Sequence, residues 1–191
     1  MTPPPGRTLW LLRHAKAVAD PPAGEDDFDR VLAPRGRRDA EALGRLLTGR
    51  GSTSGTGSGP GGEPLPQLAL VSPAARTMAT ADLVLAGLVP APRRLAPDDL
   101  YGADPEDVLR HLRRLDDDVA SVMVVGHNPT AQALALGLLD RDHKESRDLV
   151  VRRGFPTCAL GIYRLGIARW ANVEGQCGEL RELLIPPFDK D

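Results

Sequence analysis

Three times along this chain a short, continuous apolar run ends abruptly in polar residues: TLWLL at 8–12, LALVSP at 68–73 and SVMVV at 121–125. A strand with one wet face would alternate apolar and polar residues. A run that is apolar at nearly every position predicts a strand covered on both faces, and parallel neighbours then require crossover helices. The intervening sequence supplies them. Ala40, Leu43, Leu46 and Leu47 recur at spacings of three and four and predict a helix over 34–47, with Pro34 suited to its first turn. Helices are also expected over 74–88, over 104–115 with Val108, Leu109, Leu112 and Leu115 as its apolar stripe, and over 129–139. The fold class is therefore α/β, a sandwich built on a mostly parallel central sheet. Two weaker runs, 159–165 and 168–173, are expected to extend the sheet at an edge, with their direction open.

One segment interrupts this pattern. In GRGSTSGTGSGPGGEP, residues 49–64, seven of sixteen residues are Gly and five are Ser or Thr, so much of the chain's complement of 20 Gly is concentrated there. Small, nearly uncharged side chains predict a flexible coil, and lengthening such a loop costs little entropy. It could join two domains or lie inside one.

Charge and cysteine usage remove several function classes. With 24 Lys and Arg against 26 Asp and Glu, the formal net charge of -2 gives no support to a nonspecific grip on nucleic acid or to a basic membrane-surface protein. No run approaches the ~20 apolar residues of a membrane span, and TLWLL, stopped by Arg13 and His14, is too short for a secretory core. Cys158 and Cys177 lie far apart without CxxC spacing, which supports neither a disulfide framework nor a zinc site. A cytoplasmic protein with ordinary thiols is expected.

The chemistry is concentrated just past the three strands. The first run leads into Arg13-His14, the second into Ser72-Pro73 with Arg76 shortly after, and the third into Gly126-His127-Asn128. Ligands of open α/β sheets bind beyond the carboxyl ends of the strands, where helix N-termini favour anions. Two arginines and two histidines facing one crevice point to a phosphate. Arg13 and Arg76 offer planar forks for its oxygens. His14, neutral, is the candidate nucleophile, with His127 across the same phosphate, stabilising the transition state as imidazolium. Because Arg13 and His14 precede the Gly-rich segment and Arg76 and His127 follow it, the expected organisation is a single catalytic domain, 1–191, with a flexible insertion at 49–64.

These segments resemble the histidine phosphatase superfamily and, within it, the small SixA-like phosphohistidine phosphatase branch. The resemblance is carried in order by LWLLRHAKA at 9–17, VLAPRGRRDAEALGRLL at 31–47, LVSPAARTMATA at 70–81, DLYGADPEDVLRHL at 99–112, VMVVGHNPT at 122–130 and FPTCAL at 155–160. Where the superfamily has RHG, this chain has Arg13-His14-Ala15. The resemblance implies a phosphoglycerate mutase-like three-layer sandwich, phosphorylation of His14, phosphate binding by Arg13 and Arg76, a pocket completed by His127, and no metal or cofactor. It implies a phosphate-bearing substrate, of which phosphohistidine on a partner protein suits the short, lid-free segment after the second strand. Ser72 is expected to support the loop that carries Arg76. For the proton donor Asp99 is the choice over Asp98, with the acidic stretch Asp20, Glu25, Asp26, Asp27 and Asp29 as a solvated loop or an alternative source. A small-molecule phosphomonoesterase and a phosphate-binding module without turnover are the competing functions.

Overall fold

The computed structural model describes residues 6–52 and 59–188. Its centre is β1 (Arg7–Arg13), which pairs in parallel with β4 (Ser121–Gly126) and antiparallel with β5 (Leu160–Leu165). Beyond β4 lie β2 (Leu68–Val71) and β3 (Arg93–Leu95), both parallel; beyond β5 lies β6 (Gly178–Leu184), antiparallel to it. The sheet order is β3-β2-β4-β1-β5-β6. Alternation along β1 shows why the run is apolar throughout. Leu9 and Leu11 point into the layer holding α3 (Pro105–Arg113), α4 (Thr130–Gly137) and α5 (Lys144–Arg153). Trp10 and Leu12 point into the layer holding α1 (Pro34–Ser52) and α2 (Ala75–Leu85). All four side chains are essentially fully buried, each a gain of roughly 1.5–3 kcal/mol. The molecule is an α/β/α sandwich with a mixed, mostly parallel sheet.

Several elements depart from expectation. The run 168–173 is no strand: Trp170–Asn172 form a 3-10 turn, in which residues three apart share a side, so Trp170 and Val173 are both buried. Trp170 Nε1 donates to the Val119 carbonyl. The sixth strand is instead GELRELL, whose charged residues suit a half-exposed edge and hide its strand character. The edge strand β3 has only three residues, and α5 carries a weakly amphipathic, charge-rich sequence.

The Gly-rich segment is narrower than its composition predicts. Helix α1 continues to Ser52, residues 53–58 lie outside the described residues, and 60–62 form a 3-10 turn. Gly61 and Gly62 adopt φ of 69° and 73°, a region that favours glycine. This turn delivers Glu63 into a buried position beside Thr8, at the start of β1.

Candidate active site

The register of β1 against β4 builds the site. Arg13 pairs with Gly126, and the His14 N–H donates to the Gly126 carbonyl at 3.0 Å, so His14 and His127 emerge side by side from adjacent strands. Their ring centroids are 5.2 Å apart. The Ser72 N–H donates to Val125 at the end of β4, which brings the end of β2, and Arg76 in the first turn of α2, to the same place. Behind them, the segment entering β5 closes the site: the Phe155 carbonyl accepts from Arg13 Nη1 (2.9 Å) and from Asn128 Nδ2 (3.1 Å). Arg13, His14, Arg76 and His127 all line one cavity of about 480 Å³.

Hydrogen bonds set the state of each group. The Nδ1–H of His14 donates to the Ala15 carbonyl at 2.8 Å in the tautomer that leaves the Nε2 lone pair free. Burial, reinforced by the charges of Arg76 and Arg13, lowers the His14 pKa to about 4, so the ring is neutral at physiological pH. Burial, followed by the influence of His14 and Arg76, lowers that of His127 to about 3. His127 is therefore also neutral at physiological pH, and the imidazolium expected from the sequence belongs to the transition state with phosphate bound. The Ser72 hydroxyl lies 2.8 Å from His127 Nε2, a more direct role than supporting a loop. Arg13 Nε and His127 Nδ1 are buried without a partner among the described residues.

Thr80 is a positioning residue that the sequence reading passes over. Its hydroxyl donates to the Arg76 carbonyl and accepts from the Ala15 N–H at 3.0 Å, tying α2 to the turn after the nucleophile. The only sequence signal is a Thr one helical turn after Arg76.

No family model matches the chain. It is 34% identical over 176 residues to the uncharacterized protein Rv1276c of Mycobacterium tuberculosis (strain H37Rv), covering 92% of this chain and 99% of that one. The protein described as phosphohistidine phosphatase SixA from Nakamurella multipartitia superposes with a TM-score of 0.75 at 29% identity, covering 97% of this chain and 99% of that one. The corresponding protein from Agrobacterium tumefaciens gives a TM-score of 0.72 at 29% identity over 95% of this chain and 99% of its own. The chain belongs to the SixA-like branch of the histidine phosphatase superfamily. Its α/β sandwich is the architecture of that branch.

The acids fall differently from expectation. Asp99 is not brought to the cavity: its exposed carboxylate lies 3.0 Å from His111 Nε2, a pairing made possible because the 3-10 turn at Asp98–Leu100 faces α3. Among the described residues no carboxylate lines the cavity. An acid that does reach the residues lining the cavity is Asp27, from the stretch expected to be a solvated loop or an alternative proton source. Its carboxylate accepts from Arg76 Nη2 (2.9 Å), Arg30 Nη1 (2.8 Å) and the Tyr101 hydroxyl (3.0 Å). The Arg30 hydrogen bond is the largest cause that lowers the Asp27 pKa to about 2, so Asp27 is ionised and holds no proton to donate. Tyr101 stacks edgewise on Phe28 and His127, at 5.0 and 5.8 Å between centroids. Among the described residues, no group of three or more His, Cys, Asp or Glu could hold a metal ion and no helix is long and apolar enough to cross a membrane.

Proposed function

We propose that this protein hydrolyses phosphohistidine on a partner protein through a phosphorylated His14. The observation that carries the reading is the state of His14: neutral, with Nδ1 tied to a carbonyl and Nε2 free, beside two arginines in one cavity. In the first step the Nε2 lone pair attacks phosphorus, the phosphorus–nitrogen bond of the substrate breaks, and its electron pair goes to the leaving imidazole, which is protonated. In the second, water attacks phospho-His14, the phosphorus–Nε2 bond breaks, and phosphate and a proton are released. Arg13 and Arg76 would neutralise the equatorial oxygens, and Arg76 would exchange Asp27 for phosphate. A hydrogen bond from His127 Nδ1–H would complete the pocket when Ser72 donates to Nε2.

The positions of the acids favour phosphohistidine over an alkyl phosphate. An alkoxide is a poor leaving group without a strong general acid, whereas an imidazole protonated by solvent leaves readily. Asp99 faces His111, and Asp27 is held ionised. The SixA proteins matched at 29% identity, described as phosphohistidine phosphatases, support the same substrate class. We further read 1–191 as one catalytic domain with the 49–64 insertion inside it, and place it in the cytoplasm, in keeping with two free thiols.

The experiment is an alkaline denaturing quench during turnover of a phosphohistidine peptide labelled on phosphorus. Wild type is expected to carry base-stable label and His14→Ala none; equal labelling of both would remove His14 as the nucleophile. Turnover of an alkyl phosphate as efficient as that of the peptide would instead favour the phosphomonoesterase.

A further inference from the structure

The cavity holds more positive charge than one phosphoryl group requires. Among the described residues four cations line it: Arg13, Lys16, Arg30 and Arg76. Arg13 and Arg76 are the forks for phosphate. Arg30 is committed, its Nε and Nη2 donating to the Val18 carbonyl and its Nη1 to Asp27. The Lys16 ammonium has no hydrogen bond or ion pair among the described residues, and the residue is exposed. Its place is nonetheless fixed. The Lys16 carbonyl accepts from the Ala33 N–H at 2.9 Å, and Gly36 in the first turn of α1 packs so closely that a Cβ there would lie 2.7 Å from the Lys16 nitrogen. With the backbone of residue 16 packed against α1, its side chain is the part that meets the cavity and solvent. Two residues past the nucleophile, a long cationic arm thus starts from a rigid point on the wall of the cavity that His14 also lines. The cavity is an open cleft of about 480 Å³, and a phosphoryl group would occupy a small part of it.

We propose that Lys16 is a specificity-determining residue that recognises a second anionic group on the substrate, the carboxylate of an acidic residue flanking the phosphohistidine. This rests on the phosphohistidine reading above. An exposed ion pair of this kind is worth about three- to fivefold in specificity and weakens with salt.

The test compares two phosphohistidine peptides that differ only in Glu or Gln beside the phosphorylated residue, using the ratio of their kcat/KM values within each protein. That ratio is insensitive to any general loss of activity in a variant. The expected ratio is about three to five in wild type, about one in Lys16→Gln, and below one in Lys16→Glu. A ratio in Lys16→Gln equal to that of wild type overturns the proposal, because the preference then comes from the arginines alone. If neither peptide is hydrolysed, the phosphohistidine reading fails. The pair 3-carboxyphenyl phosphate and phenyl phosphate then decides the role of Lys16 by the same ratios: a preference for the carboxylated ester lost in Lys16→Gln supports it, and no change overturns it.

Discussion

The two ends of β1 both gather charge out of water, and they treat it in opposite ways. At the N-terminal end, the buried Glu63 carboxylate accepts from the Thr8 hydroxyl at 2.7 Å and is paired with Arg164 at 2.7 Å and Arg181 at 3.3 Å. At the C-terminal end, Arg13 Nε and His127 Nδ1 have no partner among the described residues, and His14 Nε2 is left free. A buried charge whose two oxygens both have partners fixes structure. Polar atoms left open in a concave site are poised for a ligand. The same sheet therefore carries a fastening at one end and a reaction site at the other, and the hydrogen-bond balance distinguishes them.

That contrast can be broken from either end. The largest effect is expected from Arg76→Ala, which should lower kcat/KM by about 10³-fold, or about 4 kcal/mol of transition-state stabilisation, with little loss of thermal stability. Steady-state kinetics beside a melting curve checks both halves. Glu63→Ala should do the reverse. Leaving Thr8, Arg164 and Arg181 without their acceptor should cost about 2 kcal/mol, discounted because both arginines are more than a third exposed, and lower Tm by roughly 4–8 °C, while turnover near 25 °C stays close to wild type. A Glu63→Ala protein with normal Tm and lost turnover would contradict the division.

The pH dependence of stability sharpens the comparison. The folded pKa values of His14 and His127, about 4 and 3, lie below the ordinary 6.5. As pH falls below 6.5 the unfolded chain binds protons that the folded chain does not, so their contribution is fully present above about pH 6.5 and is lost on descent toward pH 3. Each ring should contribute a slope of about 1 kcal/mol per pH unit within that window, measurable by denaturant unfolding. His14→Ala and His127→Ala should each flatten the curve, and an unchanged slope in both would show that the rings are not buried neutral. The smallest effect belongs to Asp99→Asn, which removes only an exposed pairing with His111 and should leave stability within about 0.5 kcal/mol and turnover within about twofold. A large loss would restore Asp99 as the proton donor.

How much was legible follows from where the information lies. The buried strands and the positions of Arg13, His14, Arg76 and His127 can be read locally, since a doubly covered strand must be apolar and its polar terminus then stands out. Edge strands could not be read this way: β6 and β3 are charged and half-exposed, and their pairing partners supply what their sequences lack. Trp170 shows the converse, an apolar run whose burial is achieved by a turn. Asp27 and Thr80 were indistinct because a carboxylate in a loop and a hydroxyl on a helix acquire meaning only from what packs against them. At the end of the glycine-rich segment composition misleads for a related reason, since Gly61 and Gly62 serve a tight turn that seats Glu63.

By itself the sequence determined the α/β class, the phosphate chemistry and the requirement that residues on both sides of 49–64 cooperate, because hydrophobic periodicity and residue type are properties of the chain. Only the tertiary structure decided which acid approaches Arg76, that both histidines are neutral, and that the Lys16 side chain has no partner among the described residues. Burial, field and hydrogen-bond saturation depend on neighbours distant in the chain, and those neighbours exist only once the strands have aligned.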